Sequence, residues 1–338
     1  MSGLDLNSKN YKDHLVNQNK GIDLKIASID IGTNTLLMTI AEIKNGKVVV
    51  LEDFHRIARL GFKVDDTKLI SEEALERAKV ILYDYKVIIN QYKVDKVSII
   101  GTSALRDAAN KLYIIEELSK VIGYTIDIID GDTEAKLSFI GTIESDNECL
   151  VLDIGGGSTE IIYGKNKDII FRQSINIGAV RITERFFANL PPSQFEIEQA
   201  TKFIQDELKK VKELITNEND NFIDKINNGL VECYAVAGTA TTMASISSGI
   251  YEFDFDKIHN INVNLIKLEE VTKNVLNLDR FTLENEFKVL DKRSDILQGG
   301  AIILLEFLKV FGLKNYICSC KGLRYGPIIQ YSMDINKI

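Results

Sequence analysis

Val151-Leu152-Asp153-Ile154-Gly155-Gly156-Gly157-Ser158-Thr159-Glu160 is the stretch whose reading decides the fold. An apolar strand carries Asp153 to its end, three glycines turn the chain, and a second strand starts at Ser158. A hairpin of purely structural purpose needs only one or two residues without a Cβ. The excess is explained by an anion approaching the backbone N–H groups of Gly155, Gly156, Gly157 and Ser158, with a glycine-rich hairpin as the competing explanation. An earlier stretch, Ile29-Asp30-Ile31-Gly32-Thr33-Asn34-Thr35, repeats the layout. There the backbone at Gly32 and Asn34 and the hydroxyls of Thr33 and Thr35 can wrap a phosphate, while Asp30, like Asp153, holds a metal ion directly or through water. Taken alone, this first copy also fits a tight hairpin with a solvated Asp.

Around the first copy, β-branched and apolar runs at 25–31, 35–43 and 47–55 predict three antiparallel strands. Ser71 caps a helical pattern over 72–92, and a parallel strand follows at 96–101. A helix at 107–121, a strand at 125–129 and a helix opened by Asp130-Gly131-Asp132-Thr133 continue the α/β alternation. Strands at 148–154, 158–163 and 168–176 surround the second copy, an internal echo that predicts two lobes built on related sheets. Beyond them the chain reads as mostly helical. Ser193-Gln194-Phe195-Glu196 forms a capping box for a helix to about 215, and 216–230 reads as a loop. A strand at 233–237, a helix at 239–248, a last strand at 315–318 and a terminal helix from Gly322 complete the pattern.

The 338 residues suit two domains, and 45% hydrophobic with 27% charged residues describes a globular chain with a sizeable core. A net charge of -8 speaks against a generic DNA or membrane-surface binder. Cys149, Cys233, Cys318 and Cys320 lack the spacing of a disulfide framework, which predicts a reduced, cytoplasmic protein. Residues 1–24 read as a flexible polar extension without a signal peptide, and 296–311 as a buried helix too short to span a bilayer.

Two other segments have chemistry of their own. Arg106 follows a strand end, where its planar fork could clamp phosphate oxygens. Gly238 and Thr239 open a helix, an N-terminus that favours anions and equally fits a simple cap. Arg293, Arg324 and the lysines over 201–212 could add positive charge around a polyanion, though most read as solvated faces.

The paired Asp-Ile-Gly turns resemble the phosphate-binding pair of the superfamily of actin, sugar kinases and heat-shock ATPases. Five further motifs narrow this: Gly101-Thr102-Ser103-Ala104-Leu105-Arg106-Asp107-Ala108-Ala109-Asn110, Gly131-Asp132-Thr133-Glu134-Ala135, Ile177-Gly178-Ala179-Val180-Arg181-Ile182-Thr183-Glu184-Arg185-Phe186, Gly238-Thr239-Ala240-Thr241-Thr242 and Gly322-Leu323-Arg324-Tyr325-Gly326. With them the chain resembles the exopolyphosphatase and guanosine pentaphosphate phosphatase family over about 25–330. The resemblance implies two actin-like (ribonuclease H-like) lobes, each a mixed sheet with helices, with the active site in the cleft between them. Lobe I would comprise 25–135 with 322–338, and lobe II 136–321.

It also implies hydrolysis of a terminal phosphate from inorganic polyphosphate or guanosine pentaphosphate with Mg²⁺. Glu134 would be the carboxylate that activates water, and Glu160 would serve the water shell of the metal or share the base role. Without the family context, Glu134 reads first as a helix first-turn residue placed for the dipole. The resemblance leans towards a homodimer and, since none of the three histidines precedes an Asp, towards the short members without a metal-dependent His-Asp domain. An ATP-dependent small-molecule kinase and a non-enzymatic nucleotide switch use the same turns and stay open at this point.

Overall fold

The computed structural model describes residues 23–290 and 293–335. The expected extension over 1–24 therefore lies outside the described residues, apart from Asp23 and Leu24, where the first strand begins. Strand β1 (Leu24–Ile31) pairs antiparallel with β2 (Thr35–Lys44), which pairs with β3 (Lys47–Ile57). On its other side β1 runs parallel to β4 (Lys96–Gly101), and β5 (Asp127–Ile128) closes the order β3-β2-β1-β4-β5. The crossover from β3 to β4 is helix α1 (Glu72–Tyr92), capped as expected by the Ser71 side chain, which accepts from Ala74 N. Its buried Leu75, Ala78, Leu82, Tyr85 and Ile89 recur at helical spacing and cover the sheet.

The second sheet repeats the plan. Strands β6 (Glu148–Ile154), β7 (Thr159–Lys165) and β8 (Asp168–Ile175) are antiparallel neighbours, and β9 (Glu232–Val236) runs parallel to β6. With β10 (Asn262–Asn264) and β11 (Asn315–Cys318), the order is β10-β11-β9-β6-β7-β8. The two hairpins agree to the atom: Gly32 N donates to Thr35 O at 3.0 Å, and Gly155 N donates to Ser158 O at 3.0 Å. A Cβ on Gly32 would lie 2.9 Å from Thr35 O, and one on Gly155 3.0 Å from Ser158 O, so each turn requires glycine at its first position. The predicted α/β fold of two related lobes is the one observed, with one hydrophobic core under each sheet.

Several boundaries differ from expectation. The helix predicted over 107–121 begins only at Lys111, as α3 (Lys111–Ile122), and a separate short helix, α2 (Ser103–Asp107), precedes it. The break is held by Asn110, whose side-chain amide exchanges bonds of 3.0 and 2.9 Å with the Ile70 backbone, an alternative that Asn offers to helix continuation. The 216–230 loop contains a short helix, Phe222–Asn227, because Phe222 is buried against Tyr163 and Phe311. Strand β10 was not anticipated; its three residues give no alternation to read. The terminal helix begins with the 3-10 turn Leu323–Tyr325 before α10 (Gly326–Ile335). All four cysteines are buried and free. Among the described residues, no helix is long and apolar enough to cross a membrane.

Helix α4 (Gly131–Thr142) connects the halves. Asp130 caps it by accepting from Thr133 N at 2.8 Å, and nearly every residue beyond the first turn is buried. One side meets the second sheet and another meets α10, which itself lies on the first sheet through Ile328 with Ile26, Ala41 and Ile43. The crossing of α4 and α10 is close. A Cβ on Gly141 would stand 2.1 Å from Gly322 O, and one on Gly326 2.2 Å from Leu137 O. Because the obstacle is backbone, Gly141→Ala should cost about 1–3 kcal/mol and lower the thermal unfolding midpoint; an unchanged midpoint would show that these helices have room to separate.

Candidate active site

Both hairpins deliver a carboxylate to the same region. Asp30 lies opposite Leu37 in the β1–β2 register, and Asp153 lies opposite Glu160 in the β6–β7 register. Directly opposed residues share a face, so Asp153 and Glu160 project together. Ser174 is the next residue across, in β8, and its hydroxyl donates to Glu160 Oε1 at 2.7 Å. Helix α4 contributes Glu134 and, one turn later, Ser138, whose hydroxyl donates to Asp153 Oδ2 at 2.5 Å. The same helix face thus holds Asp153 and presents Glu134.

Arg106, on α2 beyond the end of β4, donates from Nη1 to Glu134 Oε2 at 2.9 Å and to Ile129 O at 3.1 Å. The expected phosphate clamp is therefore paired with the expected base. Asp30, Asp153, Glu134 and Glu160 are all at most 9% exposed. Burial, the repulsion of Asp153 and that of Asp107 raise Glu134 to about 7 against the opposing pull of Arg106. Burial and then the charges of Glu134 and Asp153 push both Asp30 and Glu160 well above the usual carboxylate range. Asp153 is raised by burial, with Ser138 and Arg324 working the other way.

Such crowding of buried anions is the electrostatic condition that a cation relieves. Asp30 Oδ1 is buried and has no hydrogen-bond partner, which leaves lone pairs for a ligand. The donors are all oxygens, the set preferred by a hard divalent ion. Among the described residues no three or more such side chains form a ready metal cage. Asp30 and Asp153 would thus share an ion with water and phosphate oxygens, as Mg²⁺ usually requires.

Arg324 is not on a solvated face. Its side chain is 12% exposed and forms a fork with Asp53, 2.8 Å from Nε to Oδ1 and 2.6 Å from Nη2 to Oδ2. Tyr325 and Thr39 also donate to Asp53, at 2.9 and 3.1 Å. The fixed guanidinium lowers both Asp30 and Asp153, a role no local signal announced because Asp53 is far away in sequence. Ser138 was legible in principle, four residues after Glu134, and was missed.

The glycine excess has a cause besides an anion. A Cβ on Gly156 would lie 2.8 Å from Thr33 Cβ, and one on Gly157 2.4 Å from Ser103 Oγ, so the second turn is pressed against the first lobe. The space enclosed by Thr33, Ser103, Gly156, Gly157 and Arg181 is about 20 Å³, enough for a water molecule. Asn34 and Thr35 are partly engaged: Asn34 O accepts from Ala58 N and Arg59 N, and Asn34 Nδ2 reaches Thr35 Oγ1 at 3.5 Å. Helix α7 (Ala237–Ser247) starts beside Asp153, whose register partner is Val236, and no side chain caps it. Ala237 adopts a left-handed φ of 69°, and Gly238 lies under Arg293, where a Cβ would be 2.0 Å from Nη1. Thr239 packs on Gly300, so these two candidates border the carboxylate group and make no hydrogen bond to it among the described residues.

The Ppx/GppA phosphatase family pattern matches residues 39–333. A bifunctional 3-dehydroquinate synthase/phosphatase of Fusobacterium nucleatum is 35% identical over 90% of this chain and 46% of its own length, so the chain spans about half of that relative. Exopolyphosphatase 2 of Mycobacterium tuberculosis is 30% identical over 84% of this chain and 90% of its own. The crystal structure of the Aquifex aeolicus Ppx/GppA family member is similar with a TM-score of 0.76 and 29% identity, covering 93% of this chain and 99% of that one. With the paired turns, the α4 carboxylate and this match over most of its length, the chain belongs to the Ppx/GppA phosphatase family.

Proposed function

We propose that the chain releases the terminal phosphate of phosphoanhydride chains, either inorganic polyphosphate or the 5′ end of guanosine pentaphosphate. The observation that carries this is Glu134, a buried carboxylate held near neutrality between Arg106 and Asp153. A base with a pKa near the working pH can both take a proton from water and release it. Phosphoryl transfer otherwise needs positioning and charge neutralisation. In this reading Glu134 takes the proton of the attacking water, and Arg106 orients Glu134 and faces charge that develops on the phosphoryl oxygens. Glu160, oriented by Ser174, holds water beside Asp153. The N–H groups of Gly32 and Gly155, expected to meet phosphate, instead close their turns on Thr35 O and Ser158 O; those at Thr33 and Asn34 and at Gly156 and Gly157, with those at Gly238 and Thr239, would donate to phosphate oxygens.

Asp30 and Asp153 would hold Mg²⁺ or another divalent cation, which when bound offsets phosphate charge. The names of the phosphatase relatives support this reading over a kinase or a switch. We read the lobes as 25–135 with 322–338 and 136–321, supported by the packing of α10 on β1 and β3. A reduced, cytoplasmic setting is supported by the four buried free thiols.

Incubating the pure protein with polyphosphate, guanosine pentaphosphate and ATP, with and without Mg²⁺, should give Mg²⁺-dependent phosphate release from one of the first two. Turnover of ATP that requires a sugar or acid acceptor would overturn the proposal. Glu134→Gln should lower kcat by about 10²- to 10⁴-fold with KM little changed; full activity in this variant would transfer the base role to Glu160.

The site also sets a pH dependence of stability without metal. An unfolded Glu ionises near its ordinary value of 4.5, whereas Glu134 keeps its proton in the fold to about 7. Between those values the folded state binds more protons, so stability falls as pH rises through that window. Metal-free protein should show a thermal midpoint that decreases as pH rises from about 5 to about 8, with a flatter profile in Glu134→Gln and recovery on adding Mg²⁺. A midpoint independent of pH and Mg²⁺ would contradict this account of the carboxylates.

A further inference from the structure

Arg181 crosses the cleft with one guanidinium. It lies on α5 (Ala179–Phe186), which follows the second hairpin and its third strand, and it is 8% exposed. Its Nε donates to Gly157 O at 2.8 Å, the carbonyl of the glycine turn itself. Its Nη2 donates to Asp107 Oδ2 at 2.7 Å, and Nη1 donates to the Asp65 carboxylate. Asp107 ends α2, the residue after Arg106, and Asp65 stands in the helical turn Val64–Thr67 that follows β3. Both acids belong to the first lobe, and Gly157 belongs to the second.

Neighbouring contacts follow the same line across the cleft. Arg185 donates to both Asp65 oxygens, at 2.5 and 3.1 Å, and Lys63 N donates to Glu184 Oε1 at 3.0 Å. The Arg185 hydrogen bond, and then the Arg181 and Arg185 charges against the cost of burial, hold Asp65 below the usual carboxylate range. Arg59 and Asp295 pair at 2.9 Å farther along. Among these groups Arg181 is the one whose side chain touches a catalytic turn. Because the Gly157 carbonyl and the Ser158 N–H share one planar peptide, fixing the carbonyl also fixes the direction of that N–H on the opposite side. At its other end the same fork fixes Asp107, and with it the short helix that aims Arg106 at Glu134.

We propose that Arg181 is a positioning residue that couples closure of the two lobes to the alignment of the glycine turn and of Arg106. The inference rests on the phosphohydrolase reading for its kinetic consequence and on geometry alone for its mechanical one. Closing brings Asp65 and Asp107 to the guanidinium; opening would leave a largely buried positive charge with the Gly157 carbonyl alone of its three partners, which disfavours the open state. A charged fork of this kind is geometrically exacting, and Lys cannot reproduce it.

The test uses the full chain with spin labels on Val80→Cys and Phe195→Cys, exposed positions on the first and second lobes, since all four native thiols are buried. Arg181→Met should broaden the interlobe distance distribution towards longer values and lower kcat by about 10²-fold, with KM little changed. Arg181→Lys should restore a narrower distribution and only part of kcat. Should Arg181→Met fail to fold, Asp65→Asn and Asp107→Asn leave the bond to Gly157 in place and should still widen the distribution. Wild-type distances and kcat in all of these variants would overturn the proposal, as would a loss seen only in KM. If the wild type turns over no phosphoanhydride, the function reading fails, and the distance measurement alone decides the role of Arg181.

Discussion

Four carboxylates held together out of water are the constraint around which the rest of this structure is arranged. Asp30, Asp153, Glu134 and Glu160 come from two strand ends, one helix and one opposing strand, and each is raised by burial. A fold pays to keep them there unless cations answer them. Two guanidiniums do so in part. Arg106 bonds Glu134 directly, while Arg324 acts on both aspartates from its fork with Asp53. The remaining repulsion is of the kind that a divalent cation would relieve.

The same constraint explains why α4 is packed so tightly. Glu134 stands in a buried place while Arg106 reaches it from α2, beyond the end of β4. Ser138 anchors the helix to Asp153 one turn on, and the glycine contacts with α10 hold its far end. A shift of α4 would alter the separation of Glu134 from both Asp153 and Arg106 together. The helix is thus the element through which packing sets the basicity of Glu134.

What was legible in the sequence follows from distance along the chain. Both hairpins, their strand-end aspartates and the capped helix bearing Glu134 are local patterns, and each appears where the residues predicted it. The closeness of Asp153 and Glu160 follows from the hairpin itself once its register is known. The fork of Arg324 is not legible because its partner Asp53 comes from β3, 271 residues earlier in the chain. The contacts of Gly156 and Gly157 with Thr33 and Ser103 were hidden for the same reason: a glycine run states that something comes close and leaves open what it is. The break at Asn110 was missed because its partner, the Ile70 backbone, precedes a whole intervening helix.

The two hairpins match in register and in the hydrogen bond that closes them, and yet they are unequal in chemistry. The residue opposite Asp30 is Leu37, while the residue opposite Asp153 is Glu160. Beside this apolar partner Asp30 Oδ1 is buried without a hydrogen bond. A carboxylate partner, itself tied to Ser174, gives the second turn a further anion beside its aspartate. Helix α4 packs against the strands of the second hairpin, so Glu134, Asp153 and Glu160 collect beside that sheet. The first lobe answers with Arg106 and Arg324. The second sheet thus brings Asp153 and Glu160 and the first brings Asp30 with Arg106 and Arg324 close by, and neither hairpin alone provides both acids and cations.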